Sequence, residues 1–232
     1  MMASRWKLFL EWGSILSLIA CAYWIFMLTP IETSQGFSQK IMYLHVPTVI
    51  VTYLAFFIVF AFSIAYLWKR ELMFDRIAKS SAEIGLLFCA LVLISGAVWG
   101  RPTWVTYWVW DARLTTTLLL FLIFMGYFLL RMSTEDRDKE SRLAAVIGII
   151  GFLDIPIIHK SVEWWRTLHQ PTTLFKTEDG MAKPSIPDEL LYPLLATMMA
   201  MLLFYLFLVQ LRYRMETSQD ELKQLMAQDR MD

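Results

Sequence analysis

The sequence predicts an all-α, polytopic membrane protein with six transmembrane helices and both termini in the cytoplasm. Three observations lead to this prediction. The apolar fraction is 57%, whereas soluble domains usually have about 45–50%. The apolar residues are concentrated in blocks of about 17–22 residues with few charges, which is the length of a membrane-spanning helix. These blocks lack the alternation of a membrane barrel, so their backbone has to be helical to be hydrogen-bonded within lipid.

Six apolar segments justify the number of helices. They lie at about 12–29, 47–67, 81–99, 114–131, 143–159 and 190–211. In the first segment, the apolar run continues beyond Cys21, where a lipoprotein signal would be cleaved, so we expect an uncleaved helix. The segments predict a six-helix membrane domain over residues 1–211, followed by a polar cytoplasmic tail over 212–232 that is compatible with a helix.

The distribution of basic residues predicts the orientation of the bundle. Fourteen of the 21 lysines and arginines lie in the connections on one side, and the positive-inside rule assigns that side to the cytoplasm. The segments 30–46, 100–113 and 160–189 then face outward. In a Gram-negative cell they face the periplasm, and the expected location is the bacterial inner membrane.

Charge and motifs argue against several classes of function. The formal net charge is zero, so there is no electrostatic case for a nucleic-acid partner. No glycine-rich phosphate loop is present, so any ATP hydrolysis has to come from another subunit. The two cysteines, Cys21 and Cys89, lie in apolar segments without a C-x-x-C motif, which argues against a thiol relay or a zinc ribbon.

Aromatic residues and histidines concentrate on the outward side, in one loop over about 99–115 and a second over about 160–189. Six of the ten tryptophans lie there: Trp99, Trp104, Trp108, Trp110, Trp164 and Trp165. An interfacial belt of aromatic residues is the alternative, above all for the last two, but a belt should populate both faces. The three histidines, His45, His159 and His169, also fall on this side or at its membrane boundary.

Such a surface suits a planar, anionic ligand that carries a metal. Indole faces suit a flat apolar molecule near the bilayer surface, and imidazoles from separate loops supply axial ligands to iron. Basic side chains that suit acidic groups at its edge are Arg101, Arg113, Lys160 and Arg166. Heme meets all three requirements. Zinc fits less well, because no pair of the histidines has metal-site spacing and the outer loops contain no cysteine.

The stretch from Trp99 to Thr115, WGRPTWVTYWVWDARLT, resembles the WWD motif of bacterial heme-handling proteins. The six-helix layout, the sequence after His45 and the stretch from Ser161 to His169 resemble one branch of them, the cytochrome c maturation family CcmC, or heme exporter protein C. The resemblance covers roughly residues 40 to 211. Val105 stands where that pattern leads us to expect glycine, and Tyr107 stands where tryptophan is frequent, but both keep the surface flat or apolar.

The resemblance implies a site and a function. His45 and His169 match the two axial ligands of the iron of heme b. The platform for the porphyrin matches seven residues: Trp99, Trp104, Tyr107, Trp108, Trp110, Asp111 and Arg113. Members of the family are not enzymes; they hold heme at the outer surface and deliver it to a periplasmic heme chaperone (CcmE-like) during c-type cytochrome biogenesis.

The resemblance also implies partners in an ABC-type complex. These are an ATPase subunit (CcmA-like), a second membrane subunit (CcmB-like) and a very small membrane protein (CcmD-like). Two alternatives stay open. A heme lyase would attach heme directly to apocytochrome c, although such relatives are larger and have more histidines. A transmembrane heme permease should place polar groups along its helices at mid-membrane depth.

The sequence also predicts the structural roles of four individual polar residues. Asp111 and Arg113 are expected to pair and shape the loop, and it stays open whether Arg113 also reaches a heme propionate. His159, at the membrane edge beside Lys160, is expected to snorkel or to form a hydrogen bond rather than to bind iron. Asp154 lies within the fifth segment, where we expect the helix to open and hydrate a structural carboxylate.

Overall fold

Seven α-helices form most of the described chain. The computed structural model describes residues 2–134, 136–169, 175–178, 181–184 and 186–229. The helices are α1 Met2–Tyr23, α2 Met42–Lys69, α3 Leu72–Trp104, α4 Ala112–Ser133, α5 Arg137–Phe152, α6 Asp154–Trp164 and α7 Asp188–Gln228. Together with a π-helical segment at Trp24–Leu28 after α1 and a 3-10 helix at Phe37–Ile41 before α2, they provide six spans that are long and apolar enough to cross a membrane. The predicted all-α membrane fold with six transmembrane helices is therefore confirmed.

Each predicted apolar segment lies largely within one observed span, and all six spans are longer than the segments. The spans are Leu8–Leu28, Phe37–Lys69, Leu72–Trp104, Ala112–Ser133, Arg137–Trp164 and Asp188–Leu222. An apolar pattern marks only the part of a helix within hydrocarbon, because turns beyond the lipid carry no such signal. As a result α3 extends to Trp104, and Trp99 and Trp104 lie on its last turns rather than in a loop.

Two short strands lie in the connection between α6 and α7, which contains the second of the two predicted loops. β1 Phe175–Glu178 and β2 Met181–Pro184 pair antiparallel, with Phe175 opposite Pro184 and Glu178 opposite Met181. The hydropathy pattern did not predict this hairpin, because strands of four residues are too short for a periodic signal.

The fifth span is broken at Leu153, where α5 ends and α6 begins. Pro156 follows in the first turn of α6, a position that tolerates a residue without an N–H group. The expected opening of the helix is therefore present at Asp154. Its carboxylate, however, is buried rather than hydrated: the residue is 6% exposed, and its Oδ2 atom has no hydrogen-bond partner among the described residues.

Aromatic and small residues pack the centre of the bundle. Phe56 of α2 stacks on Phe124 of α4 with ring centroids 3.7 Å apart. Ser81 of α3 donates its proton to the carbonyl of Ala55 on α2 at 2.7 Å, and it therefore accepts from the hydroxyl of Tyr205 on α7 at 2.8 Å. In lipid, packing and such bonds hold helices together, because the tails are as apolar as the side chains.

Ion pairs gather at the end of the bundle that the charge bias predicts to be cytoplasmic, which we name the charged end. There Arg131 of α4 is bonded to Asp75 of α3, and both side chains are almost fully buried. Asp220 of α7 pairs with Arg76 of α3 at 2.8 Å. Helix α7 continues to Gln228, so the segment predicted as a tail is helical up to that residue, and its beginning is held against the bundle.

Candidate functional site

The tryptophan-rich stretch lies at the opposite end of the bundle, where α3 ends and α4 begins. The backbone of Val105, with φ 60° and ψ 8°, ends α3, and its N–H bonds to the carbonyl of Arg101 at 3.1 Å. Residues 105–111 then connect α3 to α4. The predicted platform residues are therefore divided between the last turns of a helix, a short connection and the first turn of the next helix.

His45 lies in the first turn of α2, against α3. Its Nδ1 atom is 2.9 Å from Oγ of Ser95. Ser95 donates its own proton to the carbonyl of Leu91 at 2.6 Å. Because a hydroxyl has a single proton, Ser95 accepts from Nδ1–H of His45, and the Nε2 atom of the neutral ring keeps its lone pair.

The His45 ring is confined by its neighbours on α3. A Cβ atom at Gly96 would lie 3.0 Å from Cε1 of His45, so the ring occupies space that is available because residue 96 has no side chain. The ring of Trp99 lies edge-on to it, with centroids 5.7 Å apart. Trp99 in turn donates from Nε1 to Oε1 of Gln35 at 3.0 Å. The connection between α1 and α2 thus contributes to the site, which the sequence did not lead us to expect.

His169 follows α6 and is bonded to the beginning of α4. Its Nδ1 atom lies 3.0 Å from Oδ2 of Asp111, and the two side chains are 24% and 8% exposed. Asp111 is also the N-cap of α4, since its Oδ1 accepts from the backbone N–H of Leu114 at 2.9 Å. A carboxylate only accepts, so the His169 proton lies on Nδ1 and Nε2 keeps its lone pair.

The protonation of His169 follows from its surroundings. Burial lowers the pKa of His169 below its ordinary value of 6.5, and the charge and hydrogen bond of Asp111 oppose this shift only in part. The imidazole is therefore neutral at pH 7, which is the form that binds a metal.

Trp104 links His169 to α3. Its ring lies edge-on to that of His169, with centroids 4.7 Å apart. The indole of Trp104 also packs directly against the backbone of Gly100, where an added Cβ would lie 2.6 Å from its Cε3 atom. Trp99 and Trp104, both on the last turns of one helix, therefore contact the two histidines, one each. The structure thus brings together two residues that are far apart in the sequence.

The expected pair of Asp111 and Arg113 is not formed among the described residues. Asp111 bonds to His169 instead, and Nη2 of Arg113 donates a long bond, at 3.5 Å, to the backbone carbonyl of His159. The Nε atom of Arg113 is buried without a partner in the described part of the chain. The prediction of this pair was wrong, because the capping position of Asp111 directs its carboxylate to the backbone and to His169. The His159 side chain itself is exposed.

The remaining aromatic platform residues form a surface in which Tyr107 and Trp110 are exposed and Trp108 is partly buried. The rings of Trp108 and Trp110 lie edge to face with centroids 5.5 Å apart, and Trp110 is 77% exposed. The guanidinium of Arg101 lies 5.4 Å from the ring centroid of Tyr107. Such faces offer contact area to a flat apolar molecule.

The second predicted loop contributes an exposed aromatic pair. Trp164 and Trp165 have ring centroids 5.8 Å apart, and more than half of each side chain is exposed. Lys160, a candidate for neutralising acidic groups, is already paired with Glu163 at 2.8 Å. Residues 170–174, 179–180 and 185 of this loop lie outside the described residues.

Similarity to known proteins extends over almost the whole chain. The family model of heme exporter protein C matches residues 1–228. Heme exporter protein C of Haemophilus influenzae is 39% identical over 202 residues, covering 86% of this chain and 80% of the relative. That of Bradyrhizobium diazoefficiens is 38% identical over 205 residues, covering 86% and 75%. That of Escherichia coli K12 is 39% identical over 170 residues, covering 71% and 69%.

Proposed function

Because the chain belongs to the heme exporter protein C family, we propose that it binds heme at the outer face of a bacterial inner membrane. It then delivers the heme to a periplasmic heme chaperone during c-type cytochrome biogenesis. The relatives are named for heme export, which supports heme as the cargo. The chain acts as a binding and transfer subunit, not as an enzyme.

One observation carries the proposal: His45 and His169 have the same hydrogen-bond arrangement. Each ring is bonded at Nδ1, to Ser95 and to Asp111, at 2.9 and 3.0 Å. Among the described residues, no hydrogen bond involves the Nε2 atom of either ring. A metal-binding histidine typically has its second nitrogen bonded in this way, because the bond fixes the tautomer and the ring orientation. The pair therefore suits the two axial positions of a heme iron.

The aromatic surface beside the histidines suits the porphyrin. Trp99 and Trp104 each contact one of the histidines, and the exposed Trp110, packed on the partly buried Trp108, extends the aromatic area. Arg113 supplies a half-buried guanidinium that is not bonded to a carboxylate among the described residues, which suits an anionic propionate.

The bound form is heme b, held without a covalent bond to this chain. Thioether attachment needs a cysteine thiol beside the porphyrin, and the two cysteines, Cys21 and Cys89, are both buried within membrane spans. The heme is therefore free to leave with its acceptor, as a transfer function requires.

The complex would contain subunits that supply what this chain lacks. The sequence has no phosphate-binding loop, so an ABC-type ATPase subunit hydrolyses ATP. A second membrane subunit and a very small membrane protein complete the assembly, with ATP hydrolysis associated with release of the loaded chaperone.

The delivery step is tested with purified components. We expect the full chain loaded with hemin to support covalent attachment of heme to the purified chaperone, and the chaperone without the chain to remain unmodified. Attachment of heme directly to an apocytochrome c, with no chaperone present, would instead identify a heme lyase.

The ligand assignment is tested with alanine variants. His45→Ala and His169→Ala should each lower the heme content of the purified protein or shift its absorption spectrum. His159→Ala is the matched control, because its exposed side chain lies at the same end of the bundle, and it should change neither quantity. An unchanged spectrum in His169→Ala would remove that residue from the ligand pair.

The orientation is tested with a reporter at the charged end. Alkaline phosphatase fused after residue 215 should be inactive, since the charge bias assigns this end to the cytoplasm. Active phosphatase at residue 215 would reverse the orientation and place the tryptophan-rich surface inside the cell.

A further inference from the structure

The two histidines differ in the atom that accepts their Nδ1 proton. His45 donates to the hydroxyl of Ser95, which is a neutral acceptor whose own proton is given to the carbonyl of Leu91. His169 donates to the carboxylate of Asp111. Hydrogen bonds to an ionised acceptor are stronger than bonds between neutral groups. The two rings therefore differ in electron density although they share a tautomer.

This difference acts on the opposite nitrogen of each ring. A carboxylate that accepts the Nδ1 proton raises the basicity of the ring as a ligand. Asp111 is held in place for this role by two backbone donors, Leu114 at 2.9 Å and Leu168 at 3.3 Å. His169 is consequently the stronger electron donor to a metal at Nε2, and His45 is the weaker one.

The position of each histidine in the fold adds a mechanical difference. His45 lies on a transmembrane helix with its ring confined by Gly96 and Trp99 of the neighbouring helix. His169 lies in the connection after α6, outside any helix or strand. Although its ring is bonded to Asp111, the backbone of His169 lies outside any helix and can move over a short distance with a departing ligand, whereas a ring fixed between two helices cannot.

We propose that the histidines are unequal ligands, with His169 holding the iron through the transfer and His45 leaving first. This inference rests on the proposed function. The step is a ligand exchange: the bond between iron and Nε2 of His45 breaks, and its electron pair stays on His45. No electron is transferred and no co-reactant is needed. The position that His45 leaves becomes available to the accepting protein. Ser95 and Asp111 are positioning residues that set this order.

Carbon monoxide displaces the more weakly bound of the two axial ligands of reduced heme. The stretching frequencies of the adduct then report on the ligand that remains opposite carbon monoxide. The full chain is purified in detergent, loaded with hemin, reduced with dithionite and exposed to carbon monoxide. Its iron–carbon and carbon–oxygen stretching frequencies are measured by resonance Raman spectroscopy. His45→Ala and His169→Ala provide the references, since each has only one of the two histidines.

We expect the wild-type adduct to match that of His45→Ala, because His169 remains opposite carbon monoxide in both. A match to His169→Ala overturns the proposal, and so does a mixture of both sets of frequencies, which would mean equal ligands. If instead neither alanine variant changes the spectrum of the reduced protein before carbon monoxide is added, the proposed ligand pair itself is wrong. That outcome is therefore distinct from a wrong order.

Variants that retain both histidines provide an independent measurement, including the case in which an alanine variant does not fold. Asp111→Asn weakens the donor opposite carbon monoxide and should raise the iron–carbon frequency of the adduct. Ser95→Ala should leave that frequency unchanged and increase the rate of carbon monoxide binding, while Ser95→Thr, which keeps the hydroxyl, should restore the wild-type rate. A frequency that responds to Ser95→Ala and not to Asp111→Asn overturns the proposed order.

Discussion

The carboxylate of Asp111 has two functions in one position: its Oδ1 atom caps α4 through the N–H of Leu114, and its Oδ2 atom accepts the Nδ1 proton of His169 at 3.0 Å. A ring in an irregular connection is thus fixed to the beginning of a transmembrane helix. The aspartate of the tryptophan-rich motif therefore orients a histidine, and it is not the partner of Arg113.

Substitutions of Asp111 separate these two functions. Asp111→Ala loses the cap, which typically costs about 0.5–2 kcal/mol, and also loses the acceptor for His169. Asp111→Asn keeps a capping oxygen but loses the charge. We expect the alanine variant to show lower thermal stability and lower heme content, and the asparagine variant to keep most of the stability while releasing heme faster. Equal losses of stability in both variants would argue against the capping role.

The pH dependence of heme uptake follows from the lowered pKa of His169. As the pH falls through this pKa, Nε2 of this proposed iron ligand becomes protonated and can no longer bind iron, so uptake should fail on the acid side, below the ordinary value of 6.5. Between that value and the lowered pKa, the unfolded chain binds more protons than the folded chain, so the free energy of unfolding also decreases as the pH falls.

A comparison with Asp111→Asn tests the sign of this effect. Because Asp111 raises the pKa of His169, the asparagine variant should shift the acid limit of uptake to a still lower pH. Hemin titrations of the two proteins at a series of pH values measure the limit. A shift toward higher pH in the variant would contradict the assignment.

Val105 occupies a backbone conformation that suits glycine. Its φ of 60° places a β-branched residue in the left-handed region, where a side chain costs about 1–2 kcal/mol. The side chain is 77% exposed, so removing it loses little packing. Val105→Gly should therefore raise the melting temperature, by about 2–4 °C for each kcal/mol in a chain of this size. Val105→Ala keeps a Cβ atom and should gain less; equal gains would assign the effect to the exposed apolar surface.

The transmembrane helices were predictable because each spans the lipid as one apolar run, while the details of the site depend on contacts between distant residues. His45 and His169 were predicted from their residue type and the motif around them. The sequence did not indicate that Ser95 bonds to His45, since a serine in an apolar helix usually bonds to the preceding turn, as this one also does. Asp111 before an apolar run is a recognisable N-cap, and that signal predicts its bond to Leu114 better than a pair with Arg113.

Gln35 belongs to the candidate site, and the sequence could not reveal this, because its contact with Trp99 depends on the fold of the connection between α1 and α2. It accepts from the indole N–H of Trp99, whose ring contacts His45. A hydrogen bond of this kind contributes about 0.5–1.5 kcal/mol of free energy, which the substitution removes. Gln35→Ala should therefore weaken heme binding about two- to tenfold, as measured by hemin titration. Gln35→Glu keeps an acceptor and should bind heme more tightly than the alanine variant; equal affinities would exclude a role for this bond.

At the charged end of the bundle, substitution of a buried arginine should destabilise the protein more than substitution of an exposed one. Arg131 bonds to Asp75 and, at 2.9 Å, to Glu140, and its side chain is only 3% exposed. Removing one partner of a buried pair leaves unpaired charges and costs about 3–5 kcal/mol. Arg131→Met should therefore lower the melting temperature of the protein in detergent strongly.

Arg142→Met is the matched control for this substitution. The Arg142–Asp138 pair joins positions four residues apart on one helix, and its side chains are 52% and 56% exposed. Such a pair contributes about 0–1 kcal/mol, because water already solvates both charges. The two variants lose the same side chain, so the difference in melting temperature isolates the effect of burial. Similar decreases in melting temperature in both variants would mean that water solvates Arg131 and that Asp75 and Glu140 do not need it as a partner.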